Sequence, residues 1–148
     1  MIEIKKVGIA ELEEVAILFN AYRVFYNKPS DIESGKAFLK ERIQKGESII
    51  YGAYEGGTMV GFTQLYPLFS SVRMQRLWLL NDLFVQPTAR GKGISIKLID
   101  AAKELCRQTD ACSLCLETGQ DNVVGNQLYP RTGFELDEEY NHYEWTTV

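Results

Sequence analysis

The sequence predicts an α+β fold, and three observations carry that expectation. Apolar and polar residues alternate with the period of a strand over residues 2–7, 48–54, 59–66 and 142–148. Residues 10–26 and 93–109 instead repeat their apolar positions at helical spacing. The two patterns meet where an apolar run ends at Pro87 and the loop Arg90-Gly91-Lys92-Gly93 leads into the later helix.

Taken in order, Ile2, Ile4 and Val7 alternate with Glu3, Lys5 and Lys6 in an opening strand. Leu12, Val15, Ala16, Leu18 and Phe19 form the stripe of a first helix, with Glu11, Glu13 and Glu14 in the turn where the macrodipole favours acids. Asn27-Lys28-Pro29-Ser30 breaks it, and Ser30 or Asp31 caps a second helix that runs through Phe38, Leu39 and Ile43 to Gly46. Residues 48–54 and 59–66 read as two strands whose connection, Glu55-Gly56-Gly57-Thr58, offers the positive φ of a tight hairpin. A loop is expected over 67–73, a long central strand over 75–85, and a helix over 93–109 that buries Ile94, Leu98, Ile99, Ala102, Leu105 and Cys106. A strand over 112–117 follows, then a short helix capped by Asp121 or Asn122 and stopped by Gly133. Two last strands are expected at 134–136 and 142–148.

With 148 residues, 45% of them apolar, the chain suits one domain spanning 1–148 with a sizeable core. Its net charge of −4 argues against nucleic acid and would mildly attract a cationic partner. The charged opening Met1-Ile2-Glu3-Ile4-Lys5-Lys6 and the lack of a long apolar run indicate no membrane span and a cytoplasmic protein. Three cysteines, Cys106, Cys112 and Cys115, suit a reducing compartment. Cys112 and Cys115 have a metal-like spacing, but on a strand their sulfurs would point to opposite faces, so they are read as structural and no metal is expected.

The loop after the central strand carries the chemistry. Gly91 and Gly93 let the chain turn tightly and let an anion approach the unpaired N–H groups of the following helix, with Arg90 and Lys92 adding positive charge. An ordinary strand-to-helix connection has the same outline. A Walker loop is excluded because no Gly-Lys-Ser/Thr run exists, and a dinucleotide fingerprint because Ile96 stands at the third glycine position. Arg90-Gly91-Lys92-Gly93-Ile94-Ser95 does resemble the pyrophosphate loop Arg/Gln-x-x-Gly-x-Gly/Ala of the GNAT superfamily of N-acetyltransferases, with Ser95 replacing the last small residue. Further along, the run from Asn122 through Gly125, Leu128, Tyr129 and Gly133 to Phe134 resembles that family's second signature, Asn-x-x-Ala-x-x-Leu-Tyr-x-x-x-Gly-Phe. Gly125 replaces its alanine, and Pro130 falls beside the tyrosine.

The resemblance implies a mixed, mostly antiparallel sheet with helices on both faces and a splayed central strand pair that admits the pantetheine arm of coenzyme A. Activity would then be acetyl transfer from acetyl-CoA to a primary amine, on a small molecule or a protein, by direct attack in a ternary complex. Leu83, Phe84, Val85, Arg90, Gly91, Lys92, Gly93, Ile94, Ser95, Asn122 and Tyr129 are the implied cofactor-binding residues, with Phe84 or Val85 giving an N–H to the thioester carbonyl. Tyr129 would act as general acid toward the departing sulfur, although a phenol near pKa 10 and a thiol near 8.5 make full transfer uphill by about 2 kcal/mol in bulk, so a hydrogen bond alone is the alternative. Asp82 would take the ammonium proton directly or through a water oriented by Asn81, and is otherwise a structurally bonded acid. A non-catalytic acyl-CoA-binding or regulatory module is the rival reading. The open sheet edges and the aromatic ending Tyr140, Tyr143 and Trp145 suggest a homodimer.

Overall fold

The structure is a computed structural model that describes residues 1–147 and divides into two compact units, Met1–Glu117 and Thr118–Val148. The first unit contains strand β1 (Ile2–Lys6), a 3-10 turn (Ile9–Glu11), helices α1 (Leu12–Phe25) and α2 (Ile32–Gln44), and strands β2 (Ile49–Glu55), β3 (Thr58–Ser70) and β4 (Gln75–Val85). A second 3-10 turn (Pro87–Ala89), helix α3 (Ile94–Gln108) and a short strand β5 (Leu114–Cys115) complete it. The second unit holds helix α4 (Val123–Arg131).

The strands form one five-stranded sheet in the order β1-β2-β3-β4-β5, antiparallel except for the parallel pair β4–β5. Because strand side chains alternate between faces, the sheet supports two cores. One joins Ile50, Phe62 and Phe84 to Leu12, Val15, Phe19 and Leu39 of α1 and α2. The other joins Ala53, Val60 and Val85 to Ile94 and Leu98 of α3, with Ala89 beneath the loop. The expected α+β class, mixed sheet and helices on both faces are therefore present.

Gly61 fixes how closely α3 approaches. A Cβ at this position would lie 2.9 Å from the Phe84 carbonyl oxygen, 3.2 Å from a Val85 methyl and 3.5 Å from an Ile94 methyl. Its missing side chain is the space into which the end of β4 and the first turn of α3 settle.

Several elements depart from expectation. Residues 67–70, expected in a loop, continue β3, and only the turn at 71–74 is irregular. Pro67 is tolerated because β2 begins only at Ile49, opposite Leu65, so beyond Leu65 β3 is open on that side and loses no ladder bond to a missing N–H. β5 keeps only Leu114–Cys115 of the expected 112–117. Neither the strand expected at 134–136 nor the one at 142–147 forms among the described residues, and Val148 lies outside them. The alternation there has no buried face to act on, since Leu136, Tyr140, Tyr143 and Trp145 are all exposed and acids crowd between them. β4 is consequently the last long strand of the sheet rather than a central one. The three cysteines are free, and each is half-buried rather than in the core, Cys106 included.

Gly61→Ala is expected to cost about 1–3 kcal/mol of stability, the usual range for overpacking a close contact, because the nearest obstacle is backbone and cannot rotate away. Urea unfolding of the variant beside the parent measures this, and an unchanged midpoint would contradict the packing described.

Candidate active site

The site is built on an interruption in sheet pairing. β4 and β5 pair only at Trp78↔Leu114 and Leu79↔Cys115, so residues 80–85 run on with no ladder partner on that side among the described residues. Three hydrogen bonds fix which backbone groups face the opening. Gln86 N–H donates to Val60 O (2.9 Å) and the Thr63 hydroxyl donates to Asp82 O (2.7 Å), so residues 82, 84 and 86 turn their polar groups toward β3. Arg90 Nε donates to Val85 O (2.9 Å) from elsewhere, as expected if 83 and 85 face away. The N–H groups of Leu83 and Val85 thus line the open edge, and that of Phe84 does not.

A bulge sets the side chains. Gln64 pairs with Asp82 and Leu65 with Leu80, which leaves Asn81 as the extra residue on β4. The shift moves Leu80 and Asp82 to opposite faces. Asp82 therefore joins Gln64, Phe62 and Phe84 on the α1–α2 side, at only 4% exposure. Gln64 Nε2 donates to Asp82 Oδ2 (2.6 Å) and Asn81 Nδ2 to Oδ1 (3.1 Å), while the Tyr22 hydroxyl donates to Asn81 O (3.4 Å). Burial pushes the Asp82 carboxyl above the usual carboxylate range, against the opposing pull of hydrogen bonds from Gln64, Tyr22 and Asn81. Tyr66, on the same strand face, is pushed up to about 12, first by burial and then by Asp82.

The loop beyond β4 is a candidate anion cradle made of backbone. Gly91 and Gly93 take φ of 83° and 74°, left-handed values that favour glycine, and a Cβ at either would meet nothing within 4 Å. Gly93 caps α3 without a side-chain hydrogen bond, and no acceptor among the described residues meets the N–H groups of residues 91–96. Those donors converge at the positive end of α3. The expected positive charges of Arg90 and Lys92 are both engaged within the protein. Arg90 is held by Val85 O with its guanidinium over the rings of Phe84 (5.8 Å) and Phe25 (6.0 Å), and Lys92 Nζ pairs with Glu55 (2.9 Å). The cradle's attraction for an anion comes chiefly from peptide N–H groups.

In the second unit, Asn122 caps α4 by accepting from Gly125 N–H (3.1 Å) and donates to the Thr118 hydroxyl (2.8 Å). A Cβ at residue 125 would lie 2.5 Å from Asn122 Nδ2, so glycine there leaves the cap undisturbed. Despite Pro130, α4 continues to Arg131. It ends when Gly133, at φ 99°, lets its own N–H reach Pro130 O (3.1 Å) and Phe134 N–H reach Tyr129 O (3.0 Å). This is a Schellman termination, and its usual apolar contact is the edge-on packing of Phe134 against Tyr129 at 5.7 Å. The glycine and phenylalanine closing the second motif therefore hold the tyrosine.

Within the first unit, Asn81, Asp82, Leu83, Phe84 and Val85 share β4, and residues 90–95 follow on the loop and first turn of α3, with Arg90 touching Val85 and Phe84. Asn122 and Tyr129 lie together on α4. Two residues escaped the sequence reading, Gln64 and Gly61. Each left a signal, an amide and a glycine within the largely apolar run of residues 59–66.

An open strand edge leading into a donor-rich loop suits an extended ligand with an anionic end. The chain matches the acetyltransferase (GNAT) family over residues 15–134. It is 45% identical over 140 residues to the uncharacterized N-acetyltransferase YhfO of Bacillus subtilis, covering 95% of this chain and 94% of that protein. A crystal structure of a probable acetyltransferase has a TM-score of 0.94 and 36% identity, covering 99% of this chain and 98% of that one. In fold alone it is also similar to a predicted acetyltransferase of Clostridium acetobutylicum crystallised with acetyl-CoA, with a TM-score of 0.79 and 13% identity over 97% of this chain and 96% of the other. The chain belongs to the GNAT superfamily of N-acetyltransferases and is an acetyltransferase.

Because the folded state holds the Asp82 proton more tightly than the unfolded chain, the wild type loses stability as pH rises from about 4 through the folded-state titration, then levels off. Asp82→Asn removes that dependence. Thermal melts from acid to mildly alkaline pH should show the variant gaining on wild type across that window. A difference that does not vary with pH would contradict a raised Asp82.

Proposed function

We propose that the chain is an acetyl-CoA-dependent N-acetyltransferase that acts on a primary amine by direct attack in a ternary complex. The observation that carries this reading is the outward N–H of Val85 on the open edge of β4, a short stretch of chain ahead of the acceptorless N–H groups of residues 91–96. The fit to coenzyme A is chemical. A pyrophosphate needs many donors and close backbone approach, and the cradle offers both, with empty space where Gly91 and Gly93 lack side chains.

Acetyl-CoA supplies an acyl carbon activated as a thioester. Val85 N–H donates to the carbonyl oxygen as negative charge develops there, a preorganised donor that costs no reorganisation. Asp82 accepts the proton that the acceptor's ammonium must lose to become the attacking amine, directly or through a water oriented by Asn81; its raised proton affinity brings it closer to neutral pH, where a base works best. A C–N bond forms and the C–S bond breaks. The electron pair leaves on sulfur, where Tyr129 supplies a hydrogen bond or a proton. Leu83 and Phe84 flank the acyl arm, Gly91, Lys92, Gly93, Ile94 and Ser95 form the cradle, and Arg90 and Asn122 act as positioning residues through Val85 O and the α4 cap.

In this reading the two units work as one domain, supported by a family match that spans residues from both. The acceptor is an amine on a small molecule or a protein, and the net charge of −4 favours a cationic one. Among the described residues no helix is long and apolar enough to cross a membrane, which is compatible with the cytoplasmic location proposed here. A homodimer is proposed on the exposure of Tyr140, Tyr143 and Trp145.

A thiol-release assay over a panel of amines tests the activity, and Tyr129→Phe tests its chemistry. The variant keeps the ring that packs on Phe134. It should bind coenzyme A nearly as wild type does while turnover falls by roughly 10²–10⁴-fold, the range for a lost acid–base group. Turnover within a few-fold of wild type, with chemistry rate-limiting, would remove Tyr129 from the mechanism.

A further inference from the structure

We propose that Gln64 is a positioning residue that holds the Asp82 carboxyl and can bond it in both its ionised and its neutral form. Only the catalytic consequence of this rests on the proposed role of Asp82 as proton acceptor.

Gln64 is fully buried between Phe62 and Tyr66 on one face of β3, and the Asn81 bulge sets it directly across from Asp82. Its Nε2 donates to Asp82 Oδ2 at 2.6 Å, while its Oε1 has no hydrogen-bond partner among the described residues. An orphaned buried acceptor costs stability that an apolar side chain of the same size would avoid, so the amide needs another explanation. The chemistry of the amide supplies one. With Asp82 ionised, Nε2–H meets the carboxylate. With Asp82 protonated, a half-turn of the amide brings Oε1 to accept from the new O–H. Lysine or arginine here would serve the ionised acid alone, and glutamate would oppose it.

The surroundings leave that bond in control. Tyr22 from α1 and Tyr66 from β3 are the titratable groups facing Asp82, and Arg42 from α2 acts on Tyr66. Tyr66, at about 12, stays neutral wherever an acid of this kind would titrate. Gln64 thus gives the strongest opposition to the burial that disfavours ionised Asp82, ahead of Tyr22 and Asn81. Without it the carboxyl keeps its proton to higher pH.

The test follows the Asp82 carboxyl itself by carbon-13 NMR across a pH titration of the full chain, with Asp82→Asn to assign the signal. In Gln64→Met, which keeps the volume and loses the donor, the midpoint should rise by about one unit or more. Gln64→Glu, should the methionine variant fold poorly, should also raise it, because two adjacent carboxyls share a proton. The acid limb of the kcat/KM profile should move upward in step. A lowered Tm with the Asp82 midpoint unmoved in the folded variants would reduce Gln64 to a packing role and overturn the proposal. A midpoint that moves while the acid limb stays fixed would uphold Gln64 and instead remove Asp82 as the proton acceptor.

Discussion

Among the described residues the end of β4 pairs with β3 alone, and much of the first unit can be understood as a way of tolerating its open side. Backbone N–H and C=O groups inside a fold normally find partners, so a strand end unpaired along one side is unusual. Here β5 leaves after Cys115, and Arg90 reaches back to take the Val85 carbonyl, stacked over Phe84 and Phe25. The carbonyl is satisfied while the N–H groups of Leu83 and Val85 stay available. A donor left without a partner has somewhere to put a ligand's acceptor.

The bulge at Asn81 decides what surrounds that edge. Without the extra residue, Asp82 would share a face with Leu80; with it, the acid moves to the side of Gln64, Tyr22 and Tyr66. One irregularity in register thereby separates an apolar face, against which α3 packs, from a polar cluster below α1. Gly61 completes the arrangement by letting the first turn of α3 sit against β4, so the acceptorless N–H groups of 91–96 begin close behind the open edge. In the second unit, Gly133 and Phe134 perform a comparable service for Tyr129, ending its helix and packing on its ring.

The sequence made the helices and the long strands plain because each buries one clear stripe or face, and the strand–loop–helix junction was readable from its two glycines. Failure was concentrated where a pattern existed without burial. Residues 134–136 and 142–147 alternate as strands do, yet Leu136, Tyr143 and Trp145 are exposed and no ladder forms among them. Pro67 suggested a loop because proline breaks central strands, and only the start of β2 at Ile49, short of a place opposite it, makes it harmless. The charges of Arg90 and Lys92 were legible, but their commitments to Val85 O and Glu55 depend on tertiary contacts that spacing cannot reveal. The bulge was equally hidden, so the pairing of Gln64 with Asp82 could not be foreseen, and neither could the choice of Val85 over Phe84 as the outward donor.

The central claim is that the backbone donors of β4's open edge and of the following cradle are the groups that receive acetyl-CoA. Amide nitrogen-15 NMR during a titration with acetyl-CoA reads those donors one at a time. The largest shifts should fall on Leu83, Val85 and the amides of residues 91–96, while the Phe84 amide, turned toward β3, moves little. Saturation with acetyl-CoA that leaves the amides of 91–96 and Val85 where they were would contradict it.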